Sequence, residues 1–312
     1  MQELDNNKTF NDFDDEINLK ELFAALYQAK WIIFFFITLT SSIGLLYSFH
    51  LPDIYKSKAL LVSVESNDSG IPNGVSGLAG IAGINIPSSG NEDNSSKAIP
   101  KLSSLTFFEN NIMPNIYLPD LFAVKSWNPK INGLIYDNKI YNENTKTWVR
   151  DYSHPRKQIP SAQESHEKFI NDHFSLKEDN KTGFITIAIK HESPYIAKLW
   201  LELLVNEVNS FYRQKDKLAS EKAVNYLNQQ IAKTGLAEIK KVIAELLKAK
   251  TQKLTLIEVN QYYVFEYIDA PAVMEKKFEP SRALIMIGSM FLGALLIIVF
   301  VLIKHFFRQK YY

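Results

Sequence analysis

The stretch Ala283–Ile303 carries no charged residue and holds fourteen Leu, Ile, Val or Phe side chains, with Arg282 before it and Lys304 after it. At 1.5 Å per residue, a helix of this length spans the ~30 Å hydrocarbon core of a bilayer. Each Leu, Ile, Val or Phe near its centre favours insertion by roughly 0.3 to 0.6 kcal/mol. Soluble cores rarely use so long an uncharged run, so the segment reads as a transmembrane helix. A second run, Trp31–Leu51, is free of charge apart from a protonatable His50 and is closed by Pro52. A secretory signal would be shorter and followed by a small-residue cleavage site. This run fills a bilayer and continues into Pro52-Asp53-Ile54-Tyr55, so it reads as an uncleaved span.

Two spans divide the 312 residues into an arm (1–30), a first span (31–51), a large domain (52–282), a second span (283–303) and a tail (304–312). Both termini then lie on one side. Charge does not say which side, because Lys20, Lys30, Lys304, Arg308 and Lys310 are balanced by Lys56, Lys58, Lys276, Lys277 and Arg282. The formal net charge of +1 gives no electrostatic case for nucleic acid. With no cysteine, the chain has no disulfide, thiolate metal site or cysteine nucleophile.

Within the arm, a solvated acidic run (Asp12, Asp14, Asp15, Glu16) precedes Leu19, Leu22, Phe23 and Leu26, the spacing of a short amphipathic helix on a membrane surface. Tyr55–Val64 reads as a strand. Ser66–Gly90 holds six of the twelve glycines, without the Lys-Ser or Lys-Thr that a phosphate-cradling loop requires. It is expected either to be a disordered loop or to be buried against the membrane or a neighbouring subunit. A helix is predicted over Lys97–Asn111, ended by Pro114. Leu134–Tyr136, Asp137-Asn138 and Lys139–Tyr141 suggest a hairpin, with Trp148-Val149 as a further strand. Trp127, Trp148 and Arg150 are candidate glycan contacts in this aromatic region, although aromatics in a small β-element more often form its core.

Ser161-Ala-Gln-Glu164 is a capping box. On the helix it opens, His166 and His173 read as surface residues. Phe174–Glu178 and Phe184–His191 form a predicted hairpin with Ile185, Ile187 and Ile189 on one buried face. Ser193-Pro194 opens a helical pattern running to about Ile257, ~90 Å if continuous, in which Gly235 marks a kink or a split. Its narrow apolar stripe is expected to be covered by neighbouring subunits. Tyr262–Asp269 is apolar on both faces, as in a central strand. The residues thus predict a membrane protein with two transmembrane helices flanking an α+β domain that has a membrane-proximal sheet and a long extended helix. Pro271, Pro280 and Arg282 form a candidate linker into the second span. Ser289 and Gly293 form a small-xxx-small pair suited to helix contact.

These features together resemble the Wzz-type chain-length determinants of bacterial surface polysaccharides, the polysaccharide co-polymerases. The resemblance rests on Asp15-Glu16-Ile17-Asn18-Leu19-Lys20-Glu21-Leu22 before a span and on Pro52-x-x-Tyr55 after it. It continues through Phe184–Ile189, Ser193-Pro194 and Trp200–Val208 to Ile268-Asp-Ala-Pro271 and Pro280-Ser-Arg282 at the last span. It implies an inner-membrane, two-pass protein with both termini cytoplasmic and the large domain periplasmic. It also implies a homo-oligomer that acts without a cofactor beside a membrane-embedded glycan polymerase and its lipid-linked polysaccharide, setting chain length without glycosyl chemistry.

The competing class is a membrane adaptor for a separate tyrosine autokinase in capsule or exopolysaccharide export. Tyr311 and Tyr312 are slight support for it, and nine residues after the last span leave no room for a fused kinase. No Ser-His-Asp set, metal cluster or nucleotide loop argues for an enzyme. A two-span sensor would need an output module larger than either arm.

Overall fold

The computed structural model describes residues 19–64, 94–179 and 181–309. The acidic run, the glycine-rich segment 66–90 and Tyr311-Tyr312 lie outside the described residues. In chain order the elements are α1 (Leu19–Gln28), α2 (Lys30–His50), β1 (Tyr55–Ser63), α3 (Asn94–Leu102) and α4 (Leu118–Phe122). There follow β2 (Val124–Asn128), β3 (Gly133–Tyr136), β4 (Tyr141–Asn142), β5 (Thr147–Trp148), α5 (Ala162–Lys168), β6 (Phe174–Glu178) and β7 (Ile185–His191). The last are α6 (Pro194–Lys233), α7 (Ala237–Val259), β8 (Phe265–Asp269) and α8 (Arg282–Gln309). They form two units, residues 1–51 with 280–312, and residues 52–279.

In the first unit α2 and α8 are both long and apolar enough to cross a membrane. Leucines, isoleucines and phenylalanines such as Phe35, Leu46, Leu292 and Phe300 point outward and are more than half exposed, as lipid-facing side chains would be. The two helices pack against each other, and α1 runs into α2 through Ala29, whose N–H bonds the Ala25 carbonyl while Ile33 N–H bonds its own.

The second unit is built on an antiparallel sheet of order β6-β7-β1-β8. Strand alternation sends Ser57, Ala59 and Leu61 of β1, paired with Ile189, Ile187 and Ile185 of β7, to one buried face. Against them lie Ala197, Leu201, Leu204, Val205 and Val208 of α6, so the sheet and the first half of α6 share one core. The capping box holds: the Ser161 hydroxyl accepts the Glu164 N–H, and α5 continues as a π turn, Phe169–His173.

Several expectations are corrected. The helix expected from 194 to 257 is two helices. Thr234 and Leu236 have extended backbones around Gly235, and α7 folds back antiparallel on α6. Leu227 meets Val242, Ile243 and Leu246, and Lys217 pairs with Glu258 at 2.5 Å. Part of the narrow stripe is covered within the chain, its first half by the sheet and its second by α7, while Leu199 is 59% exposed. Among the described residues β8 is an edge strand. It pairs there with β1 alone, its Phe265 is buried, and Glu266 and Ile268 are exposed. Its apolar character on both faces reflects one core face and one open face. Gly133–Tyr136 pairs backwards with Val124–Asn128, because Asp137-Asn138 forms an isolated turn that leads to a separate ribbon, β4-β5. The helix expected over 97–111 starts at Asn94, breaks after Leu102 at Ser103-Ser104, and resumes as short pieces, Leu105–Phe107, Phe108–Ile112 and Met113–Asn115. Ser104 caps the second piece by accepting the Phe107 N–H.

Candidate functional site

The expected helix-contact residues face α2 of the same chain. A Cβ added to Gly293 would collide with the Thr40 side chain, and one added to Gly44 would collide with Ser289. Two small-xxx-small pairs, Thr40/Gly44 and Ser289/Gly293, thus interlock in antiparallel register. Small side chains let helix backbones approach, which is how apolar helices bind where no hydrophobic force separates them from lipid. At one end of the pair the Arg282 guanidinium sits 4.6 Å from the centre of the Phe49 ring.

The linker 270–279 belongs to the sheet unit and is pinned along it. Pro271 is buried, the Ser57 hydroxyl donates to the Ala272 carbonyl at 2.9 Å, and Ile54 forms a bridge with Glu279. Lys277 pairs with Asp53 at 2.7 Å and Lys190 with Glu279 at 2.6 Å. Both chain connections of the unit are tied to each other by these bonds. Pro280 and Arg282 lie beyond this pinned segment, in the unit that holds α8.

Of the three residues considered for glycan contact, Trp148 and Arg150 share Phe122 as a neighbour, and Trp127 packs in a different aromatic group. Trp127 meets Tyr55 and Tyr195 edge-on or tilted, at 5.5 and 6.1 Å, and its indole donates to Asn132. Trp148 meets Tyr141 and Phe122 at 5.4 and 6.0 Å. It lines a shallow groove of about 570 Å³ with Tyr117, Tyr141, Glu109 and Lys146. Arg150 is spent internally: it donates to both Glu164 oxygens and to the carbonyls of Lys157 and Gln158, which holds the Glu164 carboxyl below its ordinary range. Under the groove the Tyr117 and Tyr141 hydroxyls share a short hydrogen bond, which with burial pushes Tyr117 up to about 12. Tyr136 donates to Asp120, whose carboxyl burial raises while that bond lowers it.

Sequence reasoning missed two buried polar anchors and misplaced one. His173 is buried, its Nδ1 bonding the Lys190 carbonyl at 2.7 Å, and it packs with His191 and Trp200. His191 accepts the Ser193 N–H on Nδ1 at 2.9 Å and donates from Nε2 to the Asp120 carbonyl at 3.1 Å. Burial, then the neighbouring His173, push its pKa down to about 3. Asn209 of α6 accepts from the N–H groups of Tyr263, Val264 and Phe265 and donates to the Phe265 carbonyl. It stitches β8 to the helix. Its signal in the sequence is a polar residue inside the stripe Leu201, Val205, Val208, Tyr212.

Among the described residues there is no cluster of three or more metal-ligating side chains. Residues 15–109 match the family described as Wzz: Chain length determinant protein. This match includes residues 15–30 of the arm, α2 and β1, the segments on which the N-terminal half of the resemblance rests. Among solved structures, the chain is similar to a full-length bacterial polysaccharide co-polymerase, at 13% identity over 94% of this chain and 99% of that one, with a TM-score of 0.40. It is also similar to a fragment of WzzB, a polysaccharide co-polymerase from Salmonella Typhimurium, at 10% identity over 73% of this chain and 100% of that one, with a TM-score of 0.34. No curated protein matches.

Proposed function

We propose that this protein is a non-enzymatic regulator of surface polysaccharide chain length, of O-antigen or a related glycan. In this reading α2 and α8 cross the inner membrane, both termini are cytoplasmic and residues 52–279 are periplasmic. Identical subunits form a scaffold beside a membrane-embedded polymerase and its lipid-linked product. The observation that carries the proposal is the Wzz match over 15–109. The interlocked helix pair and the pinned linker support it, because a scaffold needs a fixed geometry at its anchor. The Trp148 groove, aromatic with tyrosine hydroxyls, Glu109 and Lys146, is the surface assigned to saccharide contact, since sugars stack on rings and bond to such polar groups.

The test is a polysaccharide gel from a strain lacking the gene. A modal length distribution should become broad or short, and an unchanged ladder contradicts the proposal. Purifying the tagged protein from its host separates this reading from the adaptor one, which requires a tyrosine kinase as the principal companion.

A further inference from the structure

Lys56 and Lys190 stand directly opposite each other in the β1–β7 ladder. Like charges at such positions repel, and a sheet normally avoids the pairing. Both ammonium groups lean on one ring: Phe278 lies 4.6 Å from Lys56 Nζ and 5.2 Å from Lys190 Nζ, and is itself 50% exposed. Glu279 neutralises Lys190. Lys56 has no ion pair among the described residues; burial lowers its pKa first, then Lys190 and Lys58, against the opposing pull of Glu279. The arrangement holds a cation in place without an anion of its own.

Beside it the β2–β3 hairpin carries a second unsatisfied feature. Its tip holds Lys130 and Ile131, and Ile131 is 75% exposed. Trp127, packed edge-on against Tyr55, fixes this hairpin to the start of β1. Ile54 and Glu279, bridged to each other, lie within four residues of α2 and α8 respectively, about 14 Å of fully extended chain.

We propose that this end of the sheet unit is a lipid-surface contact, in which Lys56 and Lys190 bind the phosphates of anionic phospholipids and Phe278 and Ile131 enter the headgroup layer. The inference rests on the reading of α2 and α8 as transmembrane helices. Charge complementarity and the short chain connections to those helices select the occupant. Lysine heads on apolar stems, with aromatic rings beside them, suit the boundary between water and hydrocarbon. Two of the lysines hold their charge against a ring face, an arrangement that tolerates partial loss of water.

The chain has no cysteine, so an Ile131→Cys variant of the full chain takes one spin label. In nanodiscs of phosphatidylcholine, with and without phosphatidylglycerol, the label's accessibility to oxygen and to a water-soluble nickel chelate reports its depth. Asn144→Cys on the β4–β5 ribbon and Leu295→Cys in the middle of α8 serve as water and hydrocarbon references. The label at 131 should be shielded from the chelate relative to 144, more so with phosphatidylglycerol. Lys56→Gln with Lys190→Gln should weaken the shielding, by roughly fivefold in surface partitioning for each lysine removed.

A label at 131 as wet as the one at 144 in both lipids, with 295 in hydrocarbon, overturns the surface contact and leaves the transmembrane reading standing. A wet label at 295 overturns both. Shielding that ignores lipid charge and the two substitutions, or persists in detergent without phospholipid, overturns the headgroup assignment and makes protein the cover.

Discussion

Asn209 shows how much one polar side chain can hold. It satisfies three backbone N–H groups at the entry to β8 and bonds the Phe265 carbonyl, all at a buried position. Replacing it with alanine leaves those groups unpaired, each worth about 1–3 kcal/mol when buried. Asn209→Ala should lower stability by several kcal/mol in a denaturant melt, and a near-neutral result contradicts the role. His191 gives a pH dependence. Its folded pKa is pushed down to about 3 from the ordinary 6.5. Between those values the unfolded chain binds a proton that the folded chain refuses, so stability is full above about pH 6.5 and declines as pH falls toward about 3. A thermal melt series across that window should show the loss. His191→Gln should flatten this part of the profile, although it also lowers stability at neutral pH.

At the scale of elements, the strands were legible where alternation was strict. Ile185, Ile187 and Ile189 announce the buried face of β7, and Tyr55–Ser63 is found as a strand with the expected start. The placement of β8 was not legible, because an edge strand with one apolar open face reads like a central strand. The β2–β3 pairing was hidden for a different reason: the Asp137-Asn138 turn is real, but its neighbours find partners elsewhere. The α6–α7 break was legible as a glycine and not as a hairpin. Gly235 has nothing within 4 Å of an added Cβ and no positive φ. Alanine there gains about 1 kcal/mol of helix propensity. That is less than the burial of Leu227, Val242, Ile243 and Leu246, worth about 1.5–3 kcal/mol for each large aliphatic side chain. Gly235→Ala should therefore keep the hairpin and change stability by less than about 1 kcal/mol. Loss of contact between labels on α6 and α7 contradicts this. The apolar pair is less forgiving, since the Gly293 site has no room for a side chain beside Thr40. Gly293→Leu should separate α2 from α8, seen as lost cross-linking between cysteines placed on the two helices.

For the whole molecule, the two apolar runs, the α+β domain and the small-residue pair were all visible in the sequence because each is a pattern in one stretch of chain. The groove beside Trp148, the buried histidines and the pinned linker were not, since each joins residues from distant segments. The scaffold reading asks these parts to act together: a tight helix pair, a linker bonded at both of its ends, and a domain with its own core. It expects the detergent-solubilised protein to sediment at several times the mass of one chain, and a monomer at all concentrations contradicts it. The most direct measurement is a complementation gel. In a strain lacking the gene, the wild-type chain should restore a modal band of polysaccharide, and Gly293→Leu at equal abundance should leave the distribution broad. A ladder that is the same with no gene, with the wild-type chain and with the variant would contradict chain-length control by this protein.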